Sequence, residues 1–262
     1  MNPDHHDLIH RHFSTVAPRY NGLRTTDLEP VELIAGRLAT LHSVAAADVG
    51  CGTGRYGAEL LRLVGDRLRV HFVDSNPGML EQLRLHLEGL PAAMFSVSLS
   101  PAERLPLAGG SLDCMLTFNA VHHFRLADFS REAAWSLRPG GLLFIYTRLR
   151  SQNERGVWGR YFPGFTDKER RLYEEQDLIQ AISSTPALEV RDVTYFPFRR
   201  AASLEYLLER ARNNHYSTFC FYEPQELERA AQEFRANLEA SFGDLNAIEW
   251  VDENVMFTVE RR

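Results

Sequence analysis

The chain reads as an α/β protein: a mainly parallel seven-stranded sheet with helices on both faces, an N-terminal helical lid and a small helical cap inserted before the last strand. Three observations predict this. Short apolar runs alternate with amphipathic stretches, the pattern of a parallel sheet with crossover helices. A loop with glycines at 50, 52 and 54 joins the first apolar run to the helix that follows it. Beyond Arg148 the rhythm gives way to polar stretches with interleaved aromatics, which marks an added segment.

In order, residues 4–16 place Leu8, Ile9 and Phe13 at helical spacing, and Pro18 ends that helix. A second helix over 27–41 carries Leu28, Val31, Ile34, Leu38 and Leu41 on one stripe. Strands are expected at 44–49, 68–74, 93–99, 112–119 and 142–148, with helices at 56–64, 77–87 and 127–137 between them. Pro139-Gly140-Gly141 is a turn that ends a helix and starts a strand. Residues 149–176 read as a polar loop; a helix at 175–183, a strand at 189–198, helices at 202–213 and 224–242 and a strand at 255–260 follow. The expected division is a lid at 1–42, a sheet core at 43–200 and 244–262, and a cap at 201–243.

At 262 residues, 44% apolar and 24% charged, the composition is that of a soluble globular chain with room for one large core and a smaller cap. No apolar run approaches the roughly 18–20 residues of a membrane span. The opening MNPDHHDLIHRHF has no basic-then-apolar signal pattern, so the expected location is cytoplasmic and no membrane partner is expected. Thirty-five acids against 29 bases give a net charge of −6, which disfavours a nucleic-acid partner. Cys51, Cys114 and Cys220 are odd in number and form no CxxC, so they read as reduced structural thiols. His5, His6, His10 and His12 read as a solvated helix face; His6 and His10 have metal-ligand spacing, but no metal is expected.

The chemistry concentrates in Asp48-Val49-Gly50-Cys51-Gly52-Thr53-Gly54. Glycines allow a tight turn and close approach of a ligand to backbone, and the following helix N-terminus offers unpaired N–H groups. The spacing G-x-G-x-G differs from the pyrophosphate fingerprint G-x-G-x-x-G, and Asp48 would repel a phosphate. The next strand ends at Asp74, where an acid is placed to accept both hydroxyls of a ribose. Pro77 suits a first helical turn, with Ser75 or Asn76 as its cap.

Together DVGCGTG (48–54), VDSNPGML (73–80), AERLPLAGGSLDCMLTFNAVHHF (102–124) and LRPGGLLFI (137–145) make the chain similar to the class I S-adenosylmethionine-dependent methyltransferases. The resemblance is to the branch holding the ubiquinone/menaquinone-biosynthesis and small-molecule enzymes, whose lid segment residues 13–20 also resemble. It covers about residues 10–148 and implies a Rossmann-like fold and S-adenosylmethionine as cofactor. It also implies that Gly50, Cys51, Gly52 and Gly54 line the methionine half, with Asp48 near its ammonium. Asp74 would take the ribose hydroxyls, Ser75 and Met79 would flank the adenine, and Ala102 and Glu103 would read the adenine edge. Asn119 would sit beside the sulfonium, and Tyr20 would close over the cofactor. Pro101 departs from the family, which often carries an acid there for the adenine amino group; Ser100 or backbone must replace it.

Methyl transfer is an in-line displacement that needs the nucleophile about 3–3.5 Å from the methyl, so positioning can dominate. A base is needed only if the acceptor arrives protonated. His122 and His123, just beyond the fourth strand, are the candidates, since a histidine titrates near neutral pH. The acceptor is expected to meet an aromatic wall of Trp158, Tyr161, Phe162 and Phe165, with Arg148 and Arg160 for an anion and His215 and Tyr216 in a polar cluster. The expected partner is a small polar or anionic acceptor, with a homodimer left open. The competing readings are methylation of a nucleic acid or protein, a non-catalytic cofactor-binding module, and a dehydrogenase. The stretch Asn119-Ala120-Val121-His122 lacks the proline clamp of base amino methylation. The reading predicts that Asp74→Ala abolishes cofactor binding without unfolding the chain.

Overall fold

The computed structural model describes residues 3–262, with side chains from Asp7 onward. The His6–His10 pair therefore lies outside the described residues. In chain order the helices are α1 (Pro3–Val16), α2 (Tyr20–Leu23), α3 (Glu29–Arg37), α4 (Arg55–Val64), α5 (Pro77–His86), α6 (Leu126–Ser136), α7 (Arg150–Arg155), α8 (Val157–Tyr161), α9 (Phe165–Lys168), α10 (Glu175–Ser183), α11 (Leu204–Arg212) and α12 (Pro224–Ser241). The strands are β1 (Val44–Val49), β2 (Leu68–Asp74), β3 (Phe95–Leu99), β4 (Leu112–Phe118), β5 (Leu137–Thr147), β6 (Leu188–Ala202) and β7 (Ile248–Arg261).

All seven strands form one sheet, in the order β3-β2-β1-β4-β5-β7-β6, with helices on both sides. β1 pairs in parallel with β2 and with β4, β2 with β3 and β4 with β5, whereas β7 runs antiparallel to β5. The strand order reverses between β1 and β4, and such a switch point opens a crevice at the carboxyl ends of the strands. Val44, Ala47 and Val49 of β1 and Cys114, Met115 and Leu116 of β4 are buried, as central parallel strands covered on both faces must be.

By contacts the chain forms two compact units. The sheet unit comprises residues 25–147, 175–196 and 255–262; the helical unit comprises 1–24, 148–174 and 197–254. The helical unit is thus larger than the expected 201–243 cap, because residues 148–174 share its core. Trp158, Phe162 and Phe165 stand at i, i+4 and i+7 and are buried against Leu204, Leu207, Phe219 and Phe234, with Trp158 stacked on Phe234 at 5.2 Å between centroids. They are the core of this unit rather than the wall of a pocket. Tyr161 is half-buried and packs on Phe242.

Two further departures from the sequence reading have local causes. The second helix runs only from Glu29 to Arg37, since Pro30 in its first turn fixes the start. β5 begins at Leu137 rather than 142: Leu137 pairs with Leu112, the register then shifts to Cys114–Leu142, and Gly140 absorbs the irregularity with a φ of 77°. The Pro-Gly-Gly turn is a bulge within the strand. No described helix is long and apolar enough to cross a membrane.

Candidate active site

The glycine loop leaves β1 at the switch point, and its conformation explains its composition. Gly50, Gly52 and Gly54 have φ of 67°, 55° and 74°, a left-handed region that side chains rarely adopt. Amides of Gly50 and Cys51 donate to the Val73 carbonyl at 2.8 and 3.1 Å, which ties the loop to the end of β2. A Cβ on Gly50 would meet Ala120 and Phe124, and one on Gly54 would meet Leu83, whereas nothing lies within 4 Å of a Cβ built on Gly52. The loop is packed on both flanks and open at its centre.

Asp74 braces the same loop. Its Oδ2 accepts the Gly52 amide and its Oδ1 the Asn76 amide, each at 2.8 Å. Asn76 caps α5 by accepting the Met79 amide at 3.1 Å, which leaves Asp74 free of the capping role. Ser75 beside it is exposed, and the Met79 side chain is buried.

Asp48 lies under the loop, 1% exposed. Burial first, and the neighbouring Asp74 charge second, push its carboxyl up to about 8. Its Oδ1 is buried without a hydrogen-bond partner. An orphaned buried carboxylate oxygen beside an open glycine backbone fits a ligand that brings a cationic N–H group. The donor set thus agrees with the methionine half of S-adenosylmethionine.

At the end of β4, Asn119 has a φ of 52°, unusual for a residue with a side chain, and its amide donates to the Tyr146 carbonyl at 2.7 Å. His122 and His123 follow on a short 3-10 turn, Val121–His123, with ring centroids 4.1 Å apart. Ala102 is buried, and the Glu103 carboxylate accepts the Arg125 amide at 2.7 Å, so its side chain anchors the loop ahead of α6. Ser100 Oγ donates to the Arg104 carbonyl at 2.6 Å and keeps acceptor capacity. Cys51, Cys114 and Cys220 are free, and burial raises all three thiols, Cys220 to about 11, so none is a nucleophile near neutral pH. Among the described residues no group of three or more His, Cys, Asp or Glu side chains is arranged to hold a metal ion.

The remaining expected residues belong to the helical unit. Tyr20 packs edge-on against Phe13. Arg148 pairs with Asp252 at 3.2 Å and donates to the Glu253 carbonyl. Arg160 is exposed beside the Tyr161 ring. His215 is buried between Trp158 and Tyr216, and burial, then Arg24 and Arg210, hold it well below the usual histidine range. Gly57 and Arg24 escaped the sequence reading. A glycine inside a predicted helix is a detectable signal for the first; the second has none in its own neighbourhood.

A family model described as a methyltransferase domain matches residues 46–141, which hold the glycine loop, Asp74 and Asn119. Malonyl-[acyl-carrier protein] O-methyltransferase of Dechloromonas aromatica is 33% identical over 137 residues, 52% of this chain and 49% of that protein. The mouse tRNA (carboxymethyluridine(34)-5-O)-methyltransferase is 25% identical over 182 residues, 68% of this chain and 24% of that protein. The chain spans about half the length of the first of these and a quarter of the second. Geranyl diphosphate C-methyltransferase of Streptomyces coelicolor, solved with S-adenosyl-L-homocysteine, shares the fold at a TM-score of 0.55 and 12% identity, over 88% of this chain and 78% of that one. Strand order, glycine loop and domain match agree: residues 46–141 match a methyltransferase domain, and the chain is similar in fold and motifs to the class I S-adenosylmethionine-dependent methyltransferases.

Proposed function

We propose that this chain binds S-adenosylmethionine on its sheet unit and transfers the methyl group to a small-molecule acceptor by in-line displacement. The orphaned Oδ1 of Asp48, buried beside the open backbone of Gly52, is the observation that carries this reading. When bound, the cofactor supplies an electrophilic methyl group on a sulfonium. Asp48 accepts from its ammonium, and Gly50, Cys51, Gly52 and Gly54 line the methionine half. Asp74, at the tip of β2, accepts the ribose hydroxyls. Ser75, Met79, Ala102 and Glu103 border the adenine, with Ser100 as acceptor in place of the acid missing at Pro101. Asn119 borders the sulfonium, and its strained backbone is the kind of feature that functional sites retain.

His122 serves as general base where the acceptor arrives protonated, with His123 as the alternative. Tyr20, Arg148, Arg160 and Tyr216 are the candidates for acceptor binding under this reading. His215, held neutral, supports the Tyr216 ring. A homodimer is compatible with this assignment and is read out by light scattering.

A second reading, methylation of tRNA, is favoured by one relative's name and opposed by the net charge of −6, which gives weak attraction for a polyanion. Titration calorimetry with S-adenosylmethionine and S-adenosylhomocysteine tests the cofactor assignment. Micromolar binding of both supports it, and binding of neither refutes it. S-adenosylhomocysteine release with small organic acids against bulk tRNA then decides between the two acceptor classes.

A further inference from the structure

Within the helical unit the guanidinium of Arg24 lies against two tyrosine rings, 5.2 Å from the centroid of Tyr20 and 4.4 Å from that of Tyr216. Its Nε is buried without a hydrogen-bond partner. Arg24 as a whole is half-buried, and a guanidinium partly withdrawn from water is ordinarily paired, because an unpaired charge away from water is costly. Two nearby arginines are neutralised, Arg171 by Glu169 and Arg148 by Asp252. Arg210 is not: its guanidinium donates to the Leu23 carbonyl and the Tyr206 hydroxyl, both uncharged.

Two buried histidines register this surplus of positive charge. His12 is pushed down to about 4, by burial first and then by Arg24 and Arg171. His215 is depressed by burial and then by Arg24 and Arg210. Next to the His215–Tyr216 pair, Asn214 has a φ of 50° and a buried Oδ1 without a partner. Two tyrosine rings and two buried histidines thus surround one side chain whose charge has no carboxylate partner among the described residues.

We propose that Arg24 is the anchor for a carboxylate group carried by the methyl acceptor. The inference rests on the methyl-transfer reading for the word acceptor, but the anion site stands on its own geometry. A guanidinium presents a planar fork that matches a carboxylate through two parallel hydrogen bonds. Stacking on Tyr216 holds that plane before the ligand arrives, which lowers the ordering cost of binding. A carboxylate fits better than a phosphate, because its single charge is matched by one guanidinium fork, whereas His12 and His215, both held below the usual histidine range, add no charge for a further anionic oxygen. The sequence reading looked for this role in Arg148 and Arg160; Arg148 already has its carboxylate.

Saturation-transfer NMR with benzoate, benzamide and inorganic phosphate as probes tests the site on the full chain. The expected result is transfer to benzoate well above benzamide, reduced at least fivefold in Arg24→Gln. Equal signals for the acid and the amide, an unchanged benzoate signal in Arg24→Gln, or displacement of benzoate by equimolar phosphate would each overturn the proposal. Thermal unfolding guards against a structural role: Arg24→Gln should melt at or above the wild-type temperature, since it removes an unneutralised, half-buried charge. A marked drop in melting temperature would show that Arg24 holds the fold instead. S-adenosylhomocysteine affinity, measured on both proteins, should be unchanged by the substitution. If neither protein binds it while the benzoate response holds, the methyl-transfer reading fails and the carboxylate site survives.

Discussion

A Cβ built on Gly57 would lie 2.5 Å from Oδ2 of Asp48 and 2.5 Å from the Phe72 ring. The glycine sits inside α4, where alanine would be favoured by about 1 kcal/mol on helix propensity alone. Its retention there is explained by the carboxylate, which needs the space. Gly57→Ala is expected to lower stability by about 1–3 kcal/mol through overpacking and to weaken S-adenosylhomocysteine binding at least tenfold by displacing Asp48. Thermal unfolding and calorimetry read the two effects, and a variant that melts higher and binds normally would refute the steric account.

The raised carboxyl of Asp48 makes cofactor binding and stability depend on pH in opposite senses. Its value of about 8 in the fold lies above the 3.8 of an ordinary aspartate, so the folded chain holds a proton that the unfolded chain has released between those limits. The stabilising contribution of that proton is present at acidic pH and is lost as pH rises through about 8. An ammonium partner requires the ionised form. Affinity for S-adenosylhomocysteine should therefore climb about tenfold per pH unit between pH 6 and 8, with one proton released on binding. Asp48→Asn should abolish the slope and melt a few degrees higher than wild type at pH 8. A flat wild-type profile over this range would mean that Asp48 does not meet a cation.

Strands β1 to β4 were legible to within two residues, whereas β5 and β7 begin several residues before the expected runs and the helical unit was not legible. β1 and β2 begin and end where the apolar runs do; β1 is covered on both faces and has no reason to alternate, whereas β2 exposes Arg69 within its run. The glycine loop and Asp74 were legible because local sequence dictates local geometry: left-handed turns need glycine, and the strand tip needs an acid. Trp158, Phe162 and Phe165 misled in the other direction. Their i, i+4, i+7 spacing is the signature of a buried helical face, but short helices broken by Gly156 and Gly164 obscured it. Arg24 left no trace at all, since its stacking partner Tyr216 lies far along the chain. Contacts of that kind are set by tertiary packing and have no spacing to read.

Asp74 carries a structural duty as well as a proposed ligand. It accepts the Gly52 and Asn76 amides, so its removal leaves two loop N–H groups without their acceptor. The expectation that Asp74→Ala spares the fold therefore needs revision. Losing hydrogen bonds to a charged acceptor costs about 1.5–3 kcal/mol each before water compensates, and the melting temperature should fall along with cofactor affinity. Asp74→Asn retains one acceptor oxygen and the shape of the side chain. It should recover most of the stability but little of the affinity, since its NH2 cannot accept a ribose hydroxyl. Equal recovery of both in calorimetry and unfolding would remove the ribose role from Asp74.

His122 separates a chemical role from a structural one most cleanly. It stands on the 3-10 turn just after the strained Asn119, at the carboxyl end of β4. A general base contributes about 100- to 10,000-fold to a rate, whereas a packing role would change stability first. His122→Gln keeps hydrogen-bonding capacity without basicity. With an acceptor that must lose a proton, it should reduce kcat by at least 100-fold, with S-adenosylhomocysteine affinity within twofold of wild type. With a carboxylate or another acceptor already ionised at neutral pH, no base is needed, and kcat should fall less than tenfold. The comparison with His123→Gln fixes which ring acts: if only the His123 variant loses turnover, the base has been assigned to the wrong neighbour. If both variants keep full turnover on a protonated acceptor, neither histidine takes the proton, and positioning alone accounts for the rate.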